Sequence, residues 1–249
     1  MRRTGTGKTV RVDRVLSNSG YGTRKEIKKL IRDGSVKVDG SVIKDGGMHV
    51  NPVTSVIEIN GEALRYREFV YIMMNKPAGI ISATYDDKLK TVLDILPAEY
   101  KCYGLFPVGR LDVDTEGLLI LTNDGALAHE LLSPKKHVRK RYYALVEGAV
   151  GENDRVMFKN GVVLDDGYRT LPADLNILRA GDCSEIEMDI IEGKFHQVKR
   201  MFAAVGKRVK YLRRLEMGRI KLDESLRPGE WREMTAEEVF LLRESVRKK

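Results

Sequence analysis

Hydrophobic positions in the first sixty residues predict two short helices followed by a hairpin. Apolar residues lie on one helical face within 12–16 and again within 27–31. Thr23 and Glu26 have the spacing of a capping box, which places the start of the second helix after Thr23. Two short apolar runs then flank Asp39-Gly40, a dipeptide typical of tight hairpin turns. This quarter of the chain is therefore predicted to fold as a small α+β module.

From residue 69 onwards the pattern predicts strands that alternate with shorter helices. The predicted strands cover 69–74, 118–122, 142–147 and 185–191. The predicted helices cover 124–132, a segment around 155–159, 196–205 and 235–248. Alternating strands of this kind, with few long crossovers, indicate an α+β fold on a mixed, largely antiparallel sheet with flanking helices.

These patterns and the breaks between them give a domain organisation. We expect a flexible basic tail at 1–9, a small domain at 10–60, a polar linker at 61–68 and a larger domain at 69–249. A Gly-Thr-Gly-Lys-Thr run in the tail resembles the end of a phosphate-binding loop. Arg2 occupies the position of the first glycine in that motif, so a flexible tail is the better interpretation.

Charge is distributed unevenly between these parts. The chain of 249 residues has a formal net charge of +8, and residues 1–60 contain twelve Lys/Arg against six Asp/Glu. A basic module of this kind favours a polyanionic partner, because clustered cations release counterions from a phosphate backbone. Two cysteines and four scattered histidines argue against a disulfide framework or a transition-metal site. Apolar runs are too short to span a bilayer, so we expect a cytoplasmic protein with no membrane association.

Three carboxylates are concentrated in the segment 109–117, which glycines bracket on both sides. Asp112, Asp114 and Glu116 could form a catalytic loop, an acidic surface turn, or a site for Mg²⁺ or Ca²⁺. Calcium is the weaker hypothesis, because Asn123 stands where a calcium loop requires a bidentate glutamate. The loop by itself does not decide between these interpretations.

The N-terminal module resembles the RNA-binding domain named after ribosomal protein S-four. The resemblance rests on the segments 12–16, 23–25 and 31–40, with the last reading Ile-Arg-Asp-Gly-Ser-Val-Lys-Val-Asp-Gly. It implies that basic side chains on the two helices contact RNA. The residues expected to do so are Arg14, Arg24, Lys25, Lys28 and Arg32.

The larger domain resembles pseudouridine synthases of the ribosomal small-subunit type (RsuA). Five motifs occur in the family's order along nearly the whole chain, which makes the resemblance far more specific than any one of them. They are Asn-Lys-Pro-Ala-Gly at 75–79, Gly-Arg-Leu-Asp-Val-Asp-Thr-Glu-Gly-Leu-Leu at 109–119, Lys-Arg-Tyr at 140–142, Glu-Gly-Lys-Phe-His-Gln-Val-Lys-Arg-Met-Phe at 192–202 and Pro-Gly-Glu-Trp-Arg at 228–232.

The resemblance implies an enzyme that isomerises a uridine within RNA without a cofactor or an essential metal. Asp112 would be the essential catalytic residue, Tyr142 would stack on the target base, and Lys199 would be the basic partner of Asp112. Strand alternation places Tyr142 and Tyr143 on opposite faces, so only one of them can face the site. The residues expected to contact RNA in this domain are Lys76, Arg110, Lys140 and Arg200.

The expected substrate is small-subunit (16S) ribosomal RNA, free or in a small-subunit assembly intermediate, and the expected enzyme is a monomer. The resemblance favours the small-subunit branch through His196 and Gln197. Two alternatives remain: a pseudouridine synthase that acts on 23S ribosomal RNA, and a non-catalytic RNA-binding factor in ribosome assembly. A Mg²⁺-dependent phosphodiesterase is a third hypothesis.

Overall fold

The computed structural model describes residues 9–64 and 66–247. Within this part the chain forms two compact units. One contains the described residues up to Phe69 together with Pro97–Gly104, and the other contains Val70–Leu96 and the described residues from Leu105 onwards. The tail predicted for 1–9 lies outside the described residues except for Thr9.

The described residues of the first unit up to Phe69 form two α-helices and six short strands. Thr23 and Glu26 form the predicted capping box: the Thr23 hydroxyl accepts from the Glu26 amide, and the Glu26 carboxylate accepts from the Thr23 amide. The elements are β1 (Val10–Arg11), α1 (Val12–Asn18), α2 (Arg24–Arg32), β2 (Val36–Val38), β3 (Ser41–Val42), β4 (His49–Val50), β5 (Ile57–Ile59) and β6 (Glu62–Ala63). The apolar stripes of both helices pack against β2 and β5 in one core.

The first unit extends beyond the boundary that the sequence predicts. Residues 61–68 were expected to form a linker, but Glu62–Ala63 pairs with β5 as an edge strand. Leu64 and Tyr66 also pack against the core of this unit. The polar composition of the segment concealed its alternate apolar residues. The 3₁₀ helix Ala98–Tyr103, which lies within the predicted larger domain, belongs to this unit as well.

The second unit contains nine strands, four α-helices and two short 3₁₀ helices among its described residues. Its strands are β7 (Tyr71–Lys76), β8 (Phe106–Pro107), β9 (Glu116–Thr122), β10 (Lys140–Glu147), β11 (Asp174–Arg179), β12 (Cys183–Ile190), β13 (Arg208–Met217), β14 (Ile220–Lys221) and β15 (Trp231–Glu233). Its helices are α3 (Gly125–Leu132), α4 (Glu152–Lys159), α5 (Gln197–Ala204) and α6 (Ala236–Glu244), with 3₁₀ turns at Val92–Ile95 and Pro134–Lys136.

All nine strands form one sheet, whose main order is β11-β12-β10-β13-β9-β7-β15. Only the β13–β9 pair is parallel; the other pairs are antiparallel. The α+β fold with a mixed, largely antiparallel sheet is therefore confirmed. The parallel contact at the centre of the sheet brings the start of β9 beside β13, and the acidic loop leads directly into β9.

The core of this unit lies between β7, β9 and the helices α3 and α6. Alternate residues of the two strands, such as Met73 and Ile120, pack against Leu131 and Leu242 of the helices. Asp124 caps α3 by accepting from the Leu127 amide, as its position before the apolar run predicts. The sheet is therefore anchored on one face, which fixes the position of the loop that precedes β9.

Strand β7 has the predicted length but lies two residues further along the chain, at Tyr71–Lys76 instead of 69–74. The prediction ended it at Met74, before Asn75-Lys76-Pro77, but the strand continues through Lys76. The backbone of Asn75 donates to the Glu230 carbonyl oxygen (3.0 Å) and accepts from the Gly229 amide (2.8 Å). The closing segment of the chain thus extends the strand, a long-range pairing that local pattern does not reveal. Helix α6 ends at Glu244, a few residues before the predicted end.

None of the helices in the described ranges is both long and apolar enough to span a bilayer.

Candidate active site

The acidic loop lies between β8 and β9, where glycines set its entry and exit. Gly109 and Gly117 have φ of 77° and 101°, which disfavours other residues. At Gly117 a Cβ atom would lie 2.3 Å from the Arg214 carbonyl oxygen. The loop can therefore join the central strands only because this position lacks a side chain.

Lys76 stabilises the acidic loop through hydrogen bonds to its backbone. Its side chain is fully buried, and its Nζ lies 2.9–3.2 Å from the carbonyl oxygens of Pro77, Asp112, Val113 and Thr115. Burial lowers the pKa of Lys76 to about 8. The prediction that Lys76 contacts RNA is therefore wrong, because its ammonium is inside the protein and is used by the loop.

Asp112 and Lys199 form the ion pair that the sequence predicts. Lys199 Nζ, on α5, lies 3.0 Å from Asp112 Oδ2, and 22% of the Asp112 side chain is exposed. The same ammonium lies 2.5 Å from Asp114 Oδ1. Burial acts to lower the pKa of Lys199, but its hydrogen bonds to Asp114 and Asp112 outweigh burial and raise it. The hydrogen bond from Lys199 also lowers the pKa of Asp114.

Tyr142 faces the same recess as Asp112, whereas Tyr143 faces the opposite side of the sheet. Tyr142 is 8% exposed and lies on β10 among the recess residues. Tyr143 packs edge-on against Tyr211, with ring centroids 6.2 Å apart. The alternation predicted from the sequence is thus confirmed, and Tyr142 is the ring available to a ligand in the recess.

The recess has a volume of about 110 Å³ and adjoins a larger cleft of about 1110 Å³. Aliphatic side chains, an aromatic ring and charged groups line it together, a combination that suits a flat polar heterocycle. Its side-chain walls are Leu111, Asp112, Thr115, Leu132, Lys140, Tyr142, Ile190, Lys194, His196, Gln197, Val198, Leu212 and Arg214, with Arg110 at the edge.

The remaining RNA-contact predictions for this unit have different outcomes. Arg110 is exposed and lines the cleft, as a phosphate contact requires. Lys140 lines the recess but is 6% exposed, and its Nζ donates to the Val138 carbonyl oxygen. Arg200 is held in ion pairs by Asp165 and Asp166, and its side chain is 17% exposed. Lys140 is therefore placed for a ligand within the recess, and Arg200 braces α5 instead of offering a free cation.

The five predicted RNA-contact residues of the first unit are all exposed. They are Arg14, Arg24, Lys25, Lys28 and Arg32. Four of the five lie on α2, whose apolar face is buried in the core of that unit. The helix can therefore present these cations to a partner while its other face remains packed.

The three carboxylates of the acidic loop have separate partners. Asp112 and Asp114 share Lys199, whereas Glu116 accepts a hydrogen bond from the Tyr211 hydroxyl. Within the described residues, no group of three or more His, Cys, Asp or Glu side chains is arranged to hold a metal ion. This arrangement gives no support to the calcium and magnesium hypotheses.

Two residues that sequence analysis did not select complete the site. His196 Nε2 lies 3.5 Å from Asp112 Oδ1, and its ring stacks on the exposed Phe195 ring at 3.7 Å between centroids. Arg214 is buried at the recess, on the strand next to that of Tyr142 and directly opposite it in register. His196 lies within a recognised motif, so its position offered a signal. Arg214 lies within a run of basic residues that gives no indication of which one faces inward.

A buried carboxylate fixes the segment that contains His196. Glu192 is 4% exposed and accepts from the Gln197 side-chain amide (2.7 Å), the Leu171 amide (2.9 Å) and the Tyr168 hydroxyl (2.7 Å). Gln197 in turn accepts from the Lys194 amide. The wall of the recess that faces Asp112 is therefore preorganised by the protein itself.

Comparison with known proteins places both units in described families. A model of the RNA pseudouridylate synthase family matches residues 70–204, and a model of the S4 domain matches residues 10–54. A Bacillus subtilis relative named "Uncharacterized RNA pseudouridine synthase YtzG" is 50% identical over 94% of this chain and 99% of its own.

Two further comparisons cover almost the same length. The "Ribosomal small subunit pseudouridine synthase A" of Vibrio parahaemolyticus is 39% identical over 92% of this chain and 98% of its own. A crystal structure described as a pseudouridylate synthase is 36% identical and superposes with a TM-score of 0.65, covering 94% of this chain and 99% of that one.

Proposed function

The chain belongs to the RNA pseudouridylate synthase family, and from this premise we propose that it modifies one uridine of small-subunit (16S) ribosomal RNA with Asp112 as its catalytic residue. The protein is an RNA pseudouridine synthase, an isomerase, with an RNA-binding S4 domain. The choice of small-subunit RNA is supported by relatives named for that subunit, which are 39% identical over 92% of this chain. We also propose that the enzyme acts as a monomer.

Pseudouridine formation breaks the bond between ribose carbon-1′ and uracil nitrogen-1 and forms a bond from carbon-1′ to carbon-5. No atom is gained or lost: the proton on carbon-5 leaves, and nitrogen-1 acquires one. In a folded RNA this bond is accessible only when the nucleotide is extruded, at a cost of a few kcal/mol. The enzyme must therefore bind a single extruded base and keep it beside a reactive group.

Asp112 is the group best placed for the sugar chemistry. Its carboxylate lies in the recess, is partly accessible and is 3.0 Å from the Lys199 ammonium. Attack on carbon-1′ and abstraction of the 2′-hydrogen both require an ionised carboxylate, and the Lys199 ammonium places an opposite charge beside it. This ion pair within a base-sized recess is the observation that carries the proposal.

Tyr142 and Lys199 have supporting roles in the proposed reaction. The Tyr142 ring lines the recess, where it can stack on the extruded uracil and offset part of the unstacking cost. Lys199 contacts the Asp112 carboxylate and fixes its orientation. Arg110, exposed at the edge of the cleft, is proposed to contact the RNA backbone.

Replacing Asp112 by asparagine tests the catalytic proposal. Asp112→Asn retains the shape of the side chain but removes its charge, so pseudouridine formation should stop while RNA affinity stays near that of the parent. Asp174→Asn, at an exposed ion pair with Lys159, is the matched control and should keep parental activity. Product would be measured by mass spectrometry and affinity by filter binding. Parental turnover by Asp112→Asn would refute the role of this residue.

Mapping pseudouridine at base resolution tests the proposed substrate. Ribosomal RNA from cells with and without the gene should differ at one position of the 16S RNA. A difference only in 23S RNA would identify the large-subunit alternative, and no difference in either RNA would favour a non-catalytic assembly factor. Purified enzyme incubated with 16S RNA and with small-subunit particles would then show which form is the substrate.

A further inference from the structure

Two of the five buried side-chain polar atoms that lack a hydrogen-bond partner among the described residues belong to residues that line the recess. Arg214 Nη2 and Thr115 Oγ1 are buried and lack a hydrogen-bond partner within the part of the chain that the structure describes. Both residues line the recess beside Asp112 and Tyr142, and they are 2% and 1% exposed. A buried polar atom without a partner costs about 1–3 kcal/mol, so such atoms at a binding site indicate hydrogen bonds that a ligand supplies.

Arg214 is fixed in its position at the floor of the recess. On β13 it is the register partner of Tyr142 on β10, so both side chains lie on the same face of the sheet. Its Nε donates to the Leu118 carbonyl oxygen at 2.8 Å. A guanidinium carries five N–H donors, and this bond uses one of them. Arg214 therefore has a defined orientation and unused donor capacity at the recess.

The positive charges of Arg214 and Lys140, which both line the recess, are not neutralised by an ion pair in the described ranges. Neither Arg214 nor Lys140 has a carboxylate within 4.0 Å in the described ranges. Burial, followed by the charge of Arg214, lowers the pKa of Lys140 to about 8, whereas Glu192 acts to raise it. Two buried cations close together are unfavourable without a compensating partner. An electron-rich ligand between them would relieve this cost.

We propose that Arg214 binds the target uracil by donating hydrogen bonds to one of its carbonyl oxygens. Uracil has two carbonyl acceptors, whereas cytosine replaces one of them with an amino donor that a guanidinium repels. When the carbon-1′ to nitrogen-1 bond breaks, uracil takes the electron pair, and the negative charge spreads onto its carbonyl oxygens. A fixed guanidinium donor at either oxygen stabilises the base while it is detached, and a donor at the carbon-4 oxygen also selects uracil over cytosine.

This inference rests on the proposed position of the base in the recess beside Asp112. It assigns to Arg214 the recognition of the base, whereas Asp112 acts on the sugar. Thr115, with its free hydroxyl, can serve a second polar edge of the same base. The proposal differs from the role of Lys199, which contacts the catalytic carboxylate and not the base.

The test combines a change in the enzyme with a change in the substrate. Arg214→Gln should lower kcat by about 10²–10³-fold, the usual cost of losing one donor to a developing oxyanion. Arg213→Gln, the neighbouring residue on the opposite face with Tyr143, is the matched control and should stay within a few-fold of the parent. Circular dichroism and thermal melting would show that both variants are folded.

The substrate would be a short RNA that contains the mapped target uridine, replaced in turn by 2-thiouridine or 4-thiouridine. Sulfur is a weaker acceptor than oxygen, so one thio substitution should slow the parent strongly but slow Arg214→Gln much less. This non-additivity identifies the carbonyl that Arg214 contacts. Equal slowing of both enzymes by both substitutions would overturn the proposal.

Failure of this inference can be told apart from failure of the proposed function. If the parent enzyme modifies the uridine RNA and Arg214→Gln retains parental kcat, only the role of Arg214 is wrong. Arg214→Gln could unfold because the Leu118 carbonyl oxygen loses its donor. In that case Arg214→Lys takes the place of Arg214→Gln in the comparison with the thio-substituted RNAs. An RNA that the parent does not modify would instead contradict the choice of target.

Discussion

Lys76 has the most demanding environment of any single residue at the site. A fully buried ammonium is costly, yet here it organises four carbonyl oxygens around the turn that contains Asp112. Its charge therefore fixes the backbone geometry of this turn. A small movement of this turn would displace the carboxylate from Lys199.

We expect Lys76→Met to destabilise the protein and to lower its activity. Methionine fills a similar volume but cannot donate, so each carbonyl oxygen that remains buried and unpaired costs roughly 1–3 kcal/mol. Urea denaturation and single-turnover kinetics would measure the two effects. Lys88→Met, at an exposed position of the same unit, should change neither. A variant with parental stability would show that the carbonyl oxygens find other donors.

Substitutions at Lys199 can separate the effect of its charge on kcat from the effect of its side-chain geometry. A hydrogen bond to a charged group contributes about 1.5–3 kcal/mol, so Lys199→Met should reduce kcat by roughly 10- to 100-fold. Lys199→Arg keeps the charge and should recover part of the loss. Lys159→Met, in an exposed ion pair with Asp174, serves as the control. Equal kcat values for Lys199→Met and the parent would exclude a role for the ammonium.

Among the secondary-structure elements, the parallel contact of β9 with β13 decides the geometry of the site. It joins the strand that follows the acidic loop to the strand that carries Arg214, and Gly117 lies at their point of closest approach. The pairing of β13 with β10 then brings Arg214 beside Tyr142. Three segments that are far apart in the sequence are thereby brought to one recess.

Gly117→Ala should disrupt this contact. The residue has φ of 101°, and an added Cβ would lie 2.3 Å from the Arg214 carbonyl oxygen. The dihedral strain alone costs roughly 1–3 kcal/mol, and the clash adds to it. Thermal unfolding would measure the loss. Gly125→Ala, at the first position of α3 with open space around it, should be neutral or slightly stabilising. Similar melting temperatures for the two variants would contradict this account.

The capping box of α2 should stabilise its own helix and no other. Thr23→Ala removes the acceptor for the Glu26 amide and should cost about 0.5–2 kcal/mol. Amide hydrogen exchange would show faster exchange within α2. Thr235→Ala, in the equivalent capping box of α6, should accelerate exchange in α6 instead. Exchange that rises equally in both helices would indicate a global effect of the substitution.

At the scale of the whole molecule, the exposed cations of α2 and the proposed catalytic residues belong to different units. The exposed cations of α2 belong to the first unit, whereas Asp112, Tyr142 and Lys199 belong to the second. RNA affinity and turnover should therefore respond to different substitutions. This division suits an enzyme that must hold a long polyanion and still react at one nucleotide.

Neutralising α2 in the full-length protein tests this division. With Arg24, Lys25, Lys28 and Arg32 all changed to glutamine, the plot of log K against log salt should become shallower. Each lost phosphate contact removes roughly 0.7 from the slope for a single strand. The kcat at saturating RNA should change little. Lys88→Gln with Lys90→Gln provides a control, and an unchanged slope for the α2 variant would mean that this helix does not contact RNA.

The sequence by itself determined the α-helices, part of the sheet and the identity of the Asp112–Lys199 ion pair. Local periodicity predicts all six described α-helices but only four of the nine described strands of the second unit. Capping boxes mark the starts of α2 and α6 because those hydrogen bonds join neighbouring residues. The ordered motifs selected Asp112, Tyr142 and Lys199, which the structure brings to one recess. Alternation along β10 separated Tyr142 from Tyr143 for the same local reason.

Only the tertiary structure decided which charged residues face solvent and which face inward. In the sequence, four basic residues resemble the RNA contacts of an RNA-binding protein, but burial gives each of them different contacts. They are Lys76, Lys140, Arg200 and Arg214. The carbonyl oxygens and carboxylates that contact these side chains belong largely to distant segments. Because burial and pairing depend on contacts across the sheet, a local pattern cannot assign them.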